Sequence, residues 1–145
     1  MRNASILMAA VLLGAALGGC SPKMGAALSA EEMSAPLPAG TPYALLHFYR
    51  PGKFVGFLVC YDVHLNDSVV YRARNGSRQD VPYRRRGPVT AWAKTEVREE
   101  LLLNPEPGRE YFISCGLGVG AFVGRPKLTL VAPDRGRKDV GAIGN

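Results

Sequence analysis

The sequence predicts an all-β protein, an antiparallel β-sandwich of about seven short strands. Three observations predict it. Residues 54–65 alternate, with Val55, Phe57, Val59, Tyr61, Val63 and Leu65 on one face and Cys60, Asp62, His64 and Asn66 on the other, the period of two of a half-buried strand. Glycine, proline and asparagine clusters punctuate residues 43–132 into short apolar runs, the layout of a sandwich. The one run with helical composition, 97–103 with Glu99, Glu100 and three leucines, meets Pro105 and Pro107 after barely two turns and reads better as a strand.

The elements follow in order. Residues 43–50 are apolar and aromatic, and Pro51-Gly52 ends them with a turn that glycine's positive φ permits. After 54–65, Asn66-Asp67 is a two-residue hairpin signal leading into Ser68-Val69-Val70-Tyr71. Asn75-Gly76 marks a further turn, and residues 80–88 read as polar, proline-broken chain. Residues 89–95 alternate again, Val89, Ala91, Ala93 and Thr95 against Thr90, Trp92 and Lys94. Residues 110–117 and 127–132 supply the last two strands, and the charged, glycine-bearing residues 133–145 read as a loose tail. The expected core is Leu46, Phe48, Val55, Phe57, Val59, Tyr61, Val63, Leu101, Ile113 and Leu130.

A different kind of sequence precedes the strands. Met1-Arg2-Asn3 gives a charged start, residues 4–17 an apolar run, and Leu17-Gly18-Gly19-Cys20 a small-residue cut site, the layout of a secretory signal. The apolar run is short of the roughly 20 residues that cross a bilayer core. Residues 21–41 carry alanine, serine and proline and read as a tether, with helical propensity around Ala26, Ala27, Leu28 and Ala30. Leu17-Gly18-Gly19-Cys20 resembles a lipoprotein lipobox, and with what that implies the expected organisation is a signal peptide at 1–19, a lipidated cysteine and tether at 20–42, a β-sandwich domain at 43–132 and the tail at 133–145.

The chain has 145 residues and a formal net charge of +6. Without the signal roughly 125 residues remain, enough for one small domain. Excess positive charge outside the cytoplasm favours anionic partners. Headgroups, acidic glycans and other envelope proteins are the partners expected there, and nucleic acid is not. With Cys20 lipidated, Cys60 and Cys115 remain in an oxidising compartment, where they either pair or stay as two buried thiols. A bridge closing about 55 residues would contribute roughly 4 kcal/mol in the chain-entropy account.

Two resemblances add to this. Leu17-Gly18-Gly19-Cys20 resembles the lipobox of bacterial lipoproteins, which implies cleavage before Cys20, acylation of that residue and a membrane anchor. Ser21 after it resembles cargo passed to the outer membrane. The motifs Ala44-Leu45-Leu46-His47-Phe48-Tyr49-Arg50-Pro51, Val63-His64-Leu65-Asn66-Asp67, Gly87-Pro88-Val89 and Pro107-Gly108-Arg109-Glu110-Tyr111-Phe112-Ile113 are similar to those of a group of short bacterial lipoproteins. Their domain has no assigned function and is similar to PEGA-type small β-domains. That group brings no catalytic residues. The Arg84-Arg85-Arg86 cluster and Gly116-Leu117-Gly118-Val119-Gly120 lie outside the shared pattern.

Chemistry-bearing residues are sparse. Asp62 and His64 share a strand face, and Ser114 or Cys115 would be the nucleophile of a hydrolytic site, but no nucleophile elbow surrounds them. His47 and His64 lack the spacing of a zinc site. The glycine-rich run lacks the lysine and helix of a phosphate loop and reads as a flexible loop or wide turn. Arg84, Arg85 and Arg86, with Tyr83 beside them, are the candidate contact surface, able to grip carboxylate or phosphate groups, with Arg72, Arg74 and Arg78 as its extension. The reading is a lipid-anchored, periplasm-facing binding or scaffolding module of the outer membrane, without cofactor, metal or catalytic activity. Its rivals are a secretion-apparatus lipoprotein with a transthyretin-like sandwich and a small envelope hydrolase.

Overall fold

The computed structural model describes Ser29 and residues 31–144; the signal segment, Cys20 and most of the tether lie outside the described residues. Nine strands and one helix are present among them. They are β1 (Ala35–Pro36), β2 (Ala44–Arg50), β3 (Tyr61–Leu65), β4 (Ser68–Ala73), β5 (Ser77–Tyr83), β6 (Val89–Lys94), β7 (Arg98–Leu103), β8 (Arg109–Gly118), β9 (Arg125–Val131) and α1 (Pro133–Gly141). The strands form an all-β sandwich of two sheets. The first runs β5-β2-β8, with β9 and the short β1 both on the far side of β8, and the second runs β4-β3-β6-β7. Every ladder is antiparallel except one, since β2 and β8 run parallel from Leu45↔Glu110 to Tyr49↔Ser114.

The core lies between the sheets. Leu46 and Phe48 of β2, Tyr61 and Val63 of β3, Ala91 and Ala93 of β6, and Ile113 and Cys115 of β8 are buried there, on the alternate positions that pleating turns inward. Leu101 and Leu130 pack against it half-buried. The Asn66-Asp67 hairpin forms as its sequence predicts, with Leu65 facing Ser68 and Asn66 in left-handed backbone at φ +50°. The run 97–103 is a strand, paired with β6 from Val89↔Leu103 to Lys94↔Arg98.

Four expectations are corrected. Residues 54–65 are not one strand: only Tyr61–Leu65 pairs, while Val55 and Phe57 are exposed and Val59 is half-buried. Gly56 adopts φ +77°, which breaks an extended run, and the Gly56 and Val59 carbonyls are taken by the Arg50 guanidinium. The polar stretch after Asn75-Gly76 is strand β5, paired with β2 along its whole length. It tolerates Pro82 because it is an edge, where a missing N–H costs little.

The third correction concerns the tail. Residues 133–141 form α1, with Pro133 in the first turn, Asp134 beside it and Lys138 in the last turn, in keeping with the preferred first-turn proline and the helix dipole. The helix packs on the outer face of the first sheet, where Tyr49, Phe112 and Ile143 form a second small core with Val131 and Val140. Gly136 seats it: a Cβ there would stand 2.2 Å from the Phe112 ring. The fourth correction is the end of the tether, where Ala35 and Pro36 join the first sheet beside Glu110 and Arg109. Arg109 fixes this segment through Ser34 Oγ at 2.6 Å and the carbonyls of Glu31 and Ser34.

Candidate functional site

The strand directions gather the loops at two ends. The segments 51–60, 74–76, 95–97 and 119–124 meet at one end, where Arg50 faces Ser77, Tyr61 faces Ala73, Lys94 faces Arg98 and Gly118 faces Arg125. At the other end lie the Asn66-Asp67 hairpin and the segments 37–43, 84–88 and 104–108.

The first end is built on two polar staples. Arg50 is 3% exposed and has no carboxylate partner among the described residues. Its guanidinium donates to the carbonyls of Val59, of Ala73 at 3.1 Å and of Gly56 at 2.7 Å, and lies 5.7 Å from the Tyr61 ring centre. Planar forked donors suit such divergent acceptors. Burial pushes the Tyr61 hydroxyl well above the usual phenol range, and it donates to the Gly116 carbonyl at 2.7 Å. The second staple is Glu96. Its carboxylate accepts the backbone N–H groups of Ala121 at 2.9 Å, Phe122 at 2.6 Å and Val123. The Val123 and then the Phe122 N–H are the main causes that hold this carboxyl below its ordinary value. Thr95 adds a hydrogen bond to the Gly124 carbonyl at 2.8 Å. The glycine-rich run is therefore not one loop: Gly116 to Gly118 end β8, and the turn of residues 119–124 that follows is wrapped around a carboxylate. Gly120 is required in it, because a Cβ would meet the Val123 carbonyl at 2.0 Å.

What these staples present is apolar. Phe54 is 90% exposed, Val119 96% and Phe122 95%, with Val55, Phe57 and Leu58 also exposed beside them. Phe54 and Phe57 stack on each other at 5.9 Å. Isolated exposed hydrophobes are ordinary, but a contiguous group marks an interaction surface. Nothing in the alternation of 54–65 separates this crown from a buried strand.

The arginine cluster lies at the opposite end. Arg84, Arg85 and Arg86 are exposed and Tyr83 is half-buried, with the Arg84 guanidinium 5.1 Å from the centre of the Tyr43 ring. The expected extension does not form. Arg72 pairs with Asp62 at 3.1 Å on the outer face of the second sheet, Arg74 sits at the crown end, and Arg78 reaches the Val140 carbonyl below α1 at 3.4 Å.

The remaining candidates are also separated. His64 stacks on Trp92 at 3.8 Å, and Arg98 covers the same indole at 4.0 Å, all on the outer face of the second sheet. Ser114 lies on the outer face of the first sheet, so Asp62, His64 and Ser114 share no site. Cys60 is exposed and Cys115 buried, and both are free thiols. Of the two alternatives the bridge is absent, because Cys115 points into the core and Cys60 lies on the crown loop, and of the two thiols only Cys115 is buried. Burial pushes the Cys115 thiol far above its usual range, which leaves little thiolate to act as nucleophile.

A cluster that sequence reasoning missed lies on the outer face of the first sheet. His47 Nδ1 is 2.7 Å from Asp80 Oδ1 on β5, and Nε2 is 3.0 Å from Glu110 Oε2 on β8. Glu110 also accepts from Arg137 of α1, at 3.0 Å from Nε and 2.5 Å from Nη2. The imidazole stacks on Phe112 at 4.5 Å. The two nitrogens turn to carboxylates on opposite sides and do not converge on a point, and no group of three or more His, Cys, Asp or Glu among the described residues is set to hold a metal. His47, Asp80, Glu110 and Arg137 are 27 or more positions apart along the chain, which no local motif signals.

No family model matches the chain, and no curated protein or solved structure matches it. Among the described residues no helix is long and apolar enough to cross a membrane.

Proposed function

We propose that the protein is a lipid-anchored module of the bacterial envelope, facing the periplasm from the outer membrane, which binds or scaffolds an envelope partner and catalyses nothing. The observation that carries the reading is the segment Leu17-Gly18-Gly19-Cys20 behind a charged start and a short apolar run. A cysteine that becomes the acylated first residue needs no spanning helix, since several acyl chains hold firmly where one holds weakly. The body suits a binding role. It is a sandwich stiffened by a docked helix, with loops gathered at two ends, a usual place for recognition residues. Dispersal of Asp62, His64 and Ser114 supports the non-catalytic reading.

The arginine loop is the proposed contact for carboxylate or phosphate groups on an acidic glycan or an envelope protein. Tyr83 is anchored against the core and holds the start of the loop. Cells fed labelled palmitate should incorporate label into the wild type and not into Cys20→Ala, which should also leave the outer-membrane fraction. Label retained by Cys20→Ala would overturn the anchor. Crosslinking in the native envelope should yield a partner that is lost when Arg84, Arg85 and Arg86 are changed together to alanine. An unchanged partner would move the contact elsewhere on the surface.

A further inference from the structure

We infer that the crown formed by residues 51–60 and 119–124 inserts its apolar side chains into the interface of an anionic bilayer, giving the protein a second membrane contact besides its N-terminal lipid. Three observations converge on it. First, the exposure is constructed. Arg50 is buried beneath one loop and Glu96 spends both carboxylate oxygens on the other, so Phe54, Leu58, Val119 and Phe122 are held out in fixed positions.

Second, the charges around the crown are one-sided. Lys53, Arg74, Lys94, Arg125 and Lys127 are exposed around it, while Glu96 is turned inward to backbone N–H groups and Asp62 at the rim is paired with Arg72. Rings at headgroup depth with cations behind them match the aromatic and basic preferences of a membrane surface. Each cation close to an anionic surface raises partitioning about fivefold. Third, Phe54 and Phe122 project from separate loops, 90% and 95% exposed, and lipid conforms to side chains set apart in this way where a folded partner must be pre-shaped to them. The geometry rests on the proposed anchor in one respect. Nine residues from Cys20 to Ser29 reach at most about 30 Å when extended, comparable with the ~33 Å length of the ten-residue β8. Because Arg109 holds Glu31 at the end of β8 away from the crown, the tether at full reach about spans the body, and anchor and crown share one bilayer with the strands tilted toward its plane.

The test uses the lipidated full protein reconstituted into phosphatidylglycerol-containing vesicles with brominated acyl chains. The single tryptophan is removed as Trp92→Phe, and a reporter is placed as Phe122→Trp at the crown or as Val69→Trp at the far end, where Val69 is exposed. The crown reporter should be quenched at least twofold and shifted to shorter wavelength, and the far reporter should stay in water. Replacing Lys53 and Lys127 with glutamine should cut the crown quenching severalfold on anionic vesicles. Equal, weak quenching at both positions would overturn the proposal. So would a blue shift at position 122 that grows with protein concentration without vesicles, which would mark the crown as a contact between copies. Because Trp92 donates to the Asn66 carbonyl, Phe54→Trp in the native background, read as a difference, repeats the measurement without Trp92→Phe.

Flotation separates the two membrane contacts. A labelled protein that floats with its crown reporter unquenched overturns the insertion and leaves the anchor. A protein purified without lipid whose crown reporter is still quenched sustains the insertion and overturns the anchor.

Discussion

Arg50 is an unusual way to end a strand. A buried guanidinium is costly unless it is hydrogen-bonded, and here three backbone carbonyls accept from it. Arg50→Lys places a compact ammonium where three separated acceptors need a fork. It should destabilise the fold by about 3 kcal/mol, measured by urea unfolding; a loss within error would mean that water replaces the guanidinium freely. Glu96 makes a pH-dependent claim. Its folded pKa lies below the ordinary 4.5, so its contribution is complete above that value and fades as pH falls through the folded one. The amide signals of Ala121, Phe122 and Val123 should titrate together with a midpoint below 4.5 and stop titrating in Glu96→Gln. A midpoint at or above the ordinary value would remove the cradle. Neither residue was visible in the sequence as a staple. Arg50 stood out only as the close of a Tyr-Arg strand, and Glu96 lies more than 20 positions from the amides it binds.

Among the elements, those with one wet and one dry face were legible. Val89, Ala91 and Ala93 alternate because the first sheet covers one side of β6, and the Asn66-Asp67 hairpin carries its own turn chemistry. Misreading came where local pattern and tertiary role part. Residues 55–59 repeat the alternation of β3 without a neighbouring strand to pair with. Strand β5 is polar because most of its side chains face solvent at an edge, so it lacks an apolar signature. The helix α1 is charged on nearly every turn and touches the sheet through few side chains, chiefly Val140 with Ile143 just beyond its end. Its first-turn proline and acid were in plain view. Gly136 decides its seat. Gly136→Ala should lift the helix from Phe112 and destabilise by about 1–3 kcal/mol, although alanine favours an isolated helix by about 1 kcal/mol. Thermal melts would separate these effects, since a rise in melting temperature means that the close approach is dispensable.

At the scale of the whole molecule, the sandwich keeps its two described cysteines in different worlds. Cys60 should react with a thiol reagent in the folded protein, and Cys115 only after denaturation, with peptide mapping to tell them apart. A protected Cys60 linked to Cys115 would contradict the geometry. Phe48, fully buried and stacked near Tyr71 at 6.2 Å, sits where both sheets meet. Phe48→Ala should cost about 3–5 kcal/mol, read from denaturant midpoints, and a cost under 1 kcal/mol would mean that the two sheets close over the gap.

The parallel ladder between β2 and β8 also has a bearing on timing. A chain made from its N-terminus completes β2 early and waits for some sixty further residues before its central neighbour exists. Through that interval one edge of β2 offers unpaired amides and carbonyls to any passing strand. The lock arrives later still, when the Tyr49 hydroxyl donates to the Asp139 carboxylate at 3.0 Å. The earliest long strand is thus finished by the last of the described elements, and whatever shields nascent β2 must do so for nearly the whole synthesis of the body.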